Sequence, residues 1–100
     1  MDEPVKRPWT FLTNHAHVLL CIAGDPGIRG RDIAERVGIT ERSAQSIVAD
    51  LVEAGYLTRE KVGRRNHYKV HHDRPLRHPV EQGNQVAELI RLVEHDTTKG

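Results

Sequence analysis

Apolar residues recur along this chain with two different periods. Val18, Leu19 and Ile22 form one helical stripe, and Ile33, Ala34 and Val37 form a second. Ala44, Ile47, Val48, Leu51 and Val52 fall at i, i+3, i+4, i+7 and i+8, the inward face of an amphipathic helix. Val86, Leu89, Ile90 and Val93 repeat the spacing near the end. Between the third and fourth stripes the period drops to two. Tyr68 and Val70 alternate with His67 and Lys69, as in a strand with one wet face. The pattern predicts helices from Thr13 or Asn14 to about Ala23, from about Arg31 to Val37 and from about Glu41 to Ala54. A last helix is expected to start between Val80 and Asn84 and to end near His95. Strands are predicted at about 57–62 and 66–71.

The residues between the stripes support these limits. Gly24-Asp25-Pro26-Gly27 stops the first helix. Gly38 suits the position just past a helix end, Ile39 falls in the turn as a core plug, and Thr40 is a good N-cap with Glu41 in the first turn. Gly55 closes the third helix, and Tyr56 is placed to pack back on Leu51 in a Schellman ending. Gly63-Arg64-Arg65-Asn66 holds the glycine and asparagine of a tight hairpin loop. A helix, a short turn, a second helix and a hairpin, in that order, make a winged helix-turn-helix. The expected fold class is mainly α with a small β-hairpin (α+β), with a C-terminal dimerisation helix. The expected organisation is a flexible arm at 1–8, a winged domain at 9–72, a proline-stiffened linker at 73–79, and a dimerisation helix and tail at 80–100.

Composition narrows the class. One hundred residues make one domain with a modest core, and with 4% aromatics that core must be aliphatic. No apolar run approaches the roughly 18 residues of a membrane span, and residues 1–8 have no apolar signal-peptide centre. The lone Cys21 cannot form an internal disulfide and reads as a small buried hydrophobe. The expected location is cytoplasmic, with no membrane contact.

Net charge is only +1, but it is unevenly placed. Arg59, Lys61, Arg64, Arg65 and Lys69 stand against Glu60 alone in residues 57–72, a local +4. Each remaining stretch (1–28, 29–56 and 73–100) carries −1. A local basic patch is the electrostatic footprint of phosphate binding. On the third helix the inward stripe leaves Thr40, Glu41, Arg42, Ser43, Gln45, Ser46 and Ala49 outside. Small polar residues let a helix approach base edges closely. Gln45 can bond adenine in bidentate fashion, Arg42 can reach guanine or a phosphate, and Ser43 and Ser46 can bond either bases or phosphates. At the hairpin, Arg64 and Arg65 are expected at the tip, with Asn66 and His67 beside them. Arg59, Lys61 and Lys69 would follow the backbone. A solvated helix face and a charged edge hairpin are the alternatives for each feature taken alone.

Four pieces of sequence carry a resemblance: W-T-F-L-T-N-H-A at 9–16, D-I-A-E-R-V-G-I-T-E-R at 32–42, I-V-A-D-L-V-E-A-G-Y-L at 47–57 and V-G-R-R-N-H-Y at 62–68. With R-H-P-V-E at 77–81 leading into the last helix, the chain resembles winged helix-turn-helix regulators of the MarR and ArsR kind, most of all short MarR-type regulators. The resemblance implies a homodimer, a recognition helix at 41–54 and a wing near 63–67. It also marks a departure, Ser46, where many such regulators carry a bulky basic residue.

The last helix argues for a dimer on its own account. Its stripe of Val86, Leu89, Ile90 and Val93, with Leu92 beside it, needs a partner, either its own domain or the same helix of a second copy. Pairing between copies is the favoured reading, with Trp9, Phe11 and Leu12 at the same seam. A twofold dimer would set two recognition helices roughly 34–36 Å apart and read a pseudo-palindrome.

Seven histidines raise a metal site, and their spacing argues against one. His67 and His71 share a strand face but lie about 13 Å apart at roughly 3.3 Å per residue. No Cys-x-Cys pattern is present. No cofactor is expected. The chain has neither a phosphate-binding glycine loop nor a nucleophile set beside a base, so an enzyme is not expected. The expected partners are double-stranded DNA and a second copy, and a small-molecule effector is compatible with the sequence. Two rival functions stay open: a winged-helix module that binds protein, and an ArsR-like sensor of metal or small molecule.

Overall fold

The computed structural model describes residues 9–93. Three helices, a hairpin and a fourth helix follow in chain order: α1 (Asn14–Gly24), α2 (Gly30–Val37), α3 (Glu41–Glu53), β1 (Leu57–Val62), β2 (Arg65–Val70) and α4 (Val86–Val93). A short 3-10 turn at Pro79–Glu81 precedes α4. The expected arm at 1–8 and the end of the last helix near His95 lie outside the described residues.

Local chemistry sets the helix ends. Thr13 caps α1, its hydroxyl accepting from the Ala16 amide at 3.3 Å. Thr40 caps α3 in the same way, accepting from the Ser43 amide at 3.0 Å. Gly38, at φ 86°, ends α2, and its N–H donates to the Ala34 carbonyl at 2.8 Å. At the end of α3 the Gly55 N–H donates to Val52 at 3.1 Å and the Tyr56 N–H to Leu51 at 2.9 Å. This is the expected Schellman pair. It turns the chain sharply enough for Leu57 to enter the core as the first residue of β1.

The three-helix core is aliphatic, as composition demanded. Val18, Leu19 and Ile22 of α1 meet Ile33 and Ala34 of α2, and Ala44, Ile47, Val48 and Leu51 of α3. Ala44 is wholly buried. A methyl group there lets α2 and α3 cross closely, so α3 is held with its opposite face in solvent.

Three expectations are corrected. First, the hairpin loop is two residues, where strands at 57–62 and 66–71 would leave three. Val62 pairs with Arg65, and Gly63, at φ 65°, opens the turn, while among the described residues only glycines have positive φ. Glycine first with an ordinary residue second is the type II′ pattern, whose twist matches that of the strands. Arg65 therefore joins Asn66 in β2, which ends at Val70 rather than His71.

Second, the stretch expected as a linker, 73–79, is tied to the residues around the start of the last helix, which begins later than 80–84. Leu76 N–H donates to Asn84 at 3.0 Å, Val86 N–H to Arg74 at 3.0 Å and Ala87 N–H to His72 at 3.0 Å. Pro75 bridges Gln85, and His78 and Glu81 form a capping box around the 3-10 turn. Gly83 has φ 93° and Gln85 is held extended in the bridge, so helix can begin only at Val86.

Third, Val86 is completely buried and Ile90 is 8% exposed, both in the protomer's own core. These two residues, expected at a dimer seam, fold back onto their own domain. The reason is the tied excursion before them, which delivers the start of α4 onto α1. Leu89 and Leu12 are half-buried, whereas Trp9, Phe11, Leu92 and Val93 remain exposed.

Candidate nucleic-acid interface

Two surfaces flank the exposed side of α3. One is α3 itself. Glu41, Arg42, Ser43, Gln45, Ser46 and Ala49 are all exposed, as the inward stripe required. The Thr40 hydroxyl is occupied by its cap, and it also donates to the Ser43 hydroxyl at 3.0 Å. Thr40 thus fixes the start of the helix, while Ser43 keeps its own O–H for an outside acceptor.

Gly30, in the first turn of α2, lies beside the first turn of α3. A Cβ added there would lie 3.6 Å from Glu41 Oε2 and 3.8 Å from Gln45 Nε2. The Glu41 carboxylate therefore sits beside the amino ends of both helices, where negative charge is favoured. Its charge opposes a phosphate. The DNA group it can accept from is a base amino group such as that of cytosine.

The other surface is the hairpin. Residues directly opposite in an antiparallel pair share a face. Arg59 pairs with Tyr68 and Lys61 with Asn66, so these four share the face on which Leu57 and Val70 also lie. Glu60, His67, Val62, Arg65 and Lys69 take the other face. A cleft of about 300 Å³ runs between α3 and the first face, lined by Gln45, Ala49, Arg59 and Asn66 over Ala44 and Tyr68. The fold thus brings Gln45 of the helix together with Arg59 and Asn66 of the hairpin.

The hairpin is anchored on its far edge. Tyr68 N–H donates to the Pro26 carbonyl at 3.0 Å, and Arg65 donates through its Nη2 to the Gly27 carbonyl at 2.6 Å. The His67 ring covers Gly27, where a Cβ would come within 3.1 Å of its Nε2. Arg65 was expected at the loop tip and His67 beside it, both toward DNA. Both lie in β2 against the α1–α2 loop, because the turn is one residue shorter than expected. Arg64 alone occupies the tip with Gly63. Arg29, which sequence reasoning did not select, shares a second cleft with Arg64 and Arg65. Nothing local marks it, because its neighbours there are more than thirty positions away.

Three other histidines have partners in the fold. His15 Nε2 lies 2.8 Å from Asp50 Oδ2, His71 Nε2 lies 2.6 Å from Thr58 Oγ1, and His78 Nδ1 accepts from the Val80 amide at 3.1 Å. Among the described residues, no three His, Cys, Asp or Glu side chains are grouped to hold a metal ion. Cys21 is half-buried; burial pushes its thiol pKa up, and Arg36, which the fold brings near, pulls the other way. Among the described residues no helix is long and apolar enough to cross a membrane.

Comparison with known proteins places this geometry. The model of the MarR family matches residues 10–65, which run from before α1 into the hairpin. The crystal structure of the PcaV transcriptional regulator from Streptomyces coelicolor superposes with a TM-score of 0.51 at 26% identity, covering 59% of this chain and 46% of that one. The structure of the same regulator in complex with its natural ligand gives 0.52 at 20% identity, covering 81% of this chain and 59% of that one. The chain therefore spans about half the length of these solved relatives. No curated protein sequence matches it.

Proposed function

This chain belongs to the MarR family, and from that premise we propose that it is a DNA-binding transcriptional regulator acting as a homodimer on a pseudo-palindromic operator. The family is one of regulators rather than enzymes. In this reading α3 lies in the major groove and the hairpin rests on the flanking backbone or minor groove, and the regulator is a repressor. The observation that carries it is the cleft between α3 and the hairpin. There an exposed amide, Gln45, is framed by Arg59 and Asn66, while Arg42 and Ser46 extend the same exposed face. Bidentate amides read adenine, and flanking guanidinium groups fix the register on phosphates.

Selection of bound duplexes from a random pool tests this. The wild type is expected to enrich two half-sites about one helical turn apart. Gln45→Ala is expected to change the base preferred at one position of each half-site, at a cost of about 1–3 kcal/mol in discrimination. Equal weakening on every sequence would remove Gln45 from base reading.

A second reading adds an effector site. A groove of about 380 Å³ lies between α1, α4 and the 3-10 turn, with Leu19, Leu51 and Leu89 on its walls and His15 and Arg77 at its edge. Apolar walls with a few polar groups suit a small organic molecule. The PcaV regulator is known in complex with a natural ligand. Release of bound DNA by a small-molecule library, lost in Leu51→Trp, would support this reading. Release that survives in Leu51→Trp would remove it.

A further inference from the structure

Arg29, Arg64 and Arg65 come from two segments more than thirty residues apart and line one cleft of about 340 Å³ beside Gly27, Ile28 and Gly30. Arg29 is exposed, stands at the cap position of α2 and makes no capping bond through its side chain. Arg64 sits at the exposed hairpin tip. Arg65 is pinned by its bond to the Gly27 carbonyl, which fixes one wall of the cleft and holds the hairpin tip over the start of α2. Three cations around one concave surface repel one another unless an anion lies among them. The Glu41 carboxylate faces Gly30 from the α3 side.

We propose that this cleft holds one phosphate group between Arg29 and Arg64, with Arg65 as a positioning residue for the tip. Planar guanidinium groups suit phosphate oxygens in bidentate geometry. The phosphate has two sources, the DNA backbone or a free phosphorylated small molecule. The first rests on the DNA-binding reading above.

The test is a fluorescence-anisotropy titration of random-sequence duplex DNA over a salt series, with thermal melts to confirm folding. Arg29→Ala and Arg64→Ala are each expected to weaken binding about tenfold, from the loss of a charge-assisted hydrogen bond. Because both act on one phosphate, the double variant should lose less than the product of the two factors. It should also flatten the salt slope by about 0.9. Arg36→Ala, which removes the same charge from the other end of α2, should leave the slope unchanged. Fully multiplicative losses, or DNA binding by the wild type that Arg29→Ala leaves intact, would overturn a shared DNA phosphate.

A folded wild type that binds no DNA would fail the parent reading rather than the cleft. Inorganic phosphate, titrated against chloride at matched ionic strength and followed by amide NMR, then decides. Shifts at Gly27 to Gly30 in the wild type, absent in Arg29→Ala, would sustain the cleft with a free phosphate as its source. No shifts would overturn it.

Discussion

Arg64 and Arg65 are adjacent and chemically identical, yet the fold gives them different work. Arg64 lies at the turn, where nothing among the described residues claims its guanidinium, and Arg65 begins β2 with a bond to Gly27. Replacing either removes one positive charge, but only Arg65→Ala also frees the hairpin edge from the α1–α2 loop. Arg65→Ala is expected to lower stability by about 1–2 kcal/mol through the lost hydrogen bond. It should also speed hydrogen exchange at the Tyr68 amide, which bonds the same loop. Arg64→Ala should leave both unchanged. Chemical denaturation and exchange measured on the two variants separate these roles. Equal exchange at Tyr68 in both would show that the Gly27 bond does not hold the hairpin. The pair also shows where sequence legibility stops at this scale. Their charge is visible in a run of basic residues, but their direction depends on a register that one residue of turn length changes.

At the scale of the element, the parts most legible in the sequence are those closed by contacts within a few residues. Thr40 capping Ser43, Gly38 ending α2 and the Gly55–Tyr56 pair ending α3 each need only local backbone geometry. Gly55 illustrates how demanding that geometry is. Its φ is 88°, and a Cβ there would meet the Arg74 guanidinium at 3.3 Å, where Arg74 donates to the Ala54 carbonyl at 3.2 Å. Gly55→Ala is expected to cost about 1–2 kcal/mol from the left-handed backbone alone, with more if Arg74 is displaced. Ala44→Leu tests the other determinant of where α3 sits, the close crossing of α2 and α3. Overpacking a wholly buried site should cost about 1–3 kcal/mol. Thermal melts give both values, and an Ala44→Leu protein as stable as the wild type would show that the crossing is not tight. The hairpin was less legible. Its strands were visible in the period-two pattern, but glycine and asparagine three positions apart suggested a wider loop than the two-residue turn that Gly63 opens.

At the scale of the whole molecule, an apolar stripe says that a helix must be covered and not by what. The stripe of α4 divides between two tasks. Val86 and Ile90 complete the core against α1, a placement set by backbone bonds from residues 72, 74 and 76 that no periodicity announces. Leu92, 73% exposed, and Val93 face outward, as do Trp9 and Phe11, whose rings meet edge to face at 4.8 Å. Such a concentration of exposed apolar side chains on a small domain suits a seam between copies. The division makes the proposed homodimer separable from the fold. Ile90→Ala should lower the stability of each protomer by about 2–5 kcal/mol, as truncation of a buried isoleucine does. Leu92→Glu should leave protomer stability nearly intact while shifting sedimentation from dimer toward monomer, and only this variant should make DNA affinity depend on protein concentration across the working range. If Leu92→Glu sediments as the wild type does, the copies do not meet through the outer face of α4. The two recognition helices would then have to be spaced by another surface, and the operator symmetry expected from a seam at α4 would lose its structural basis.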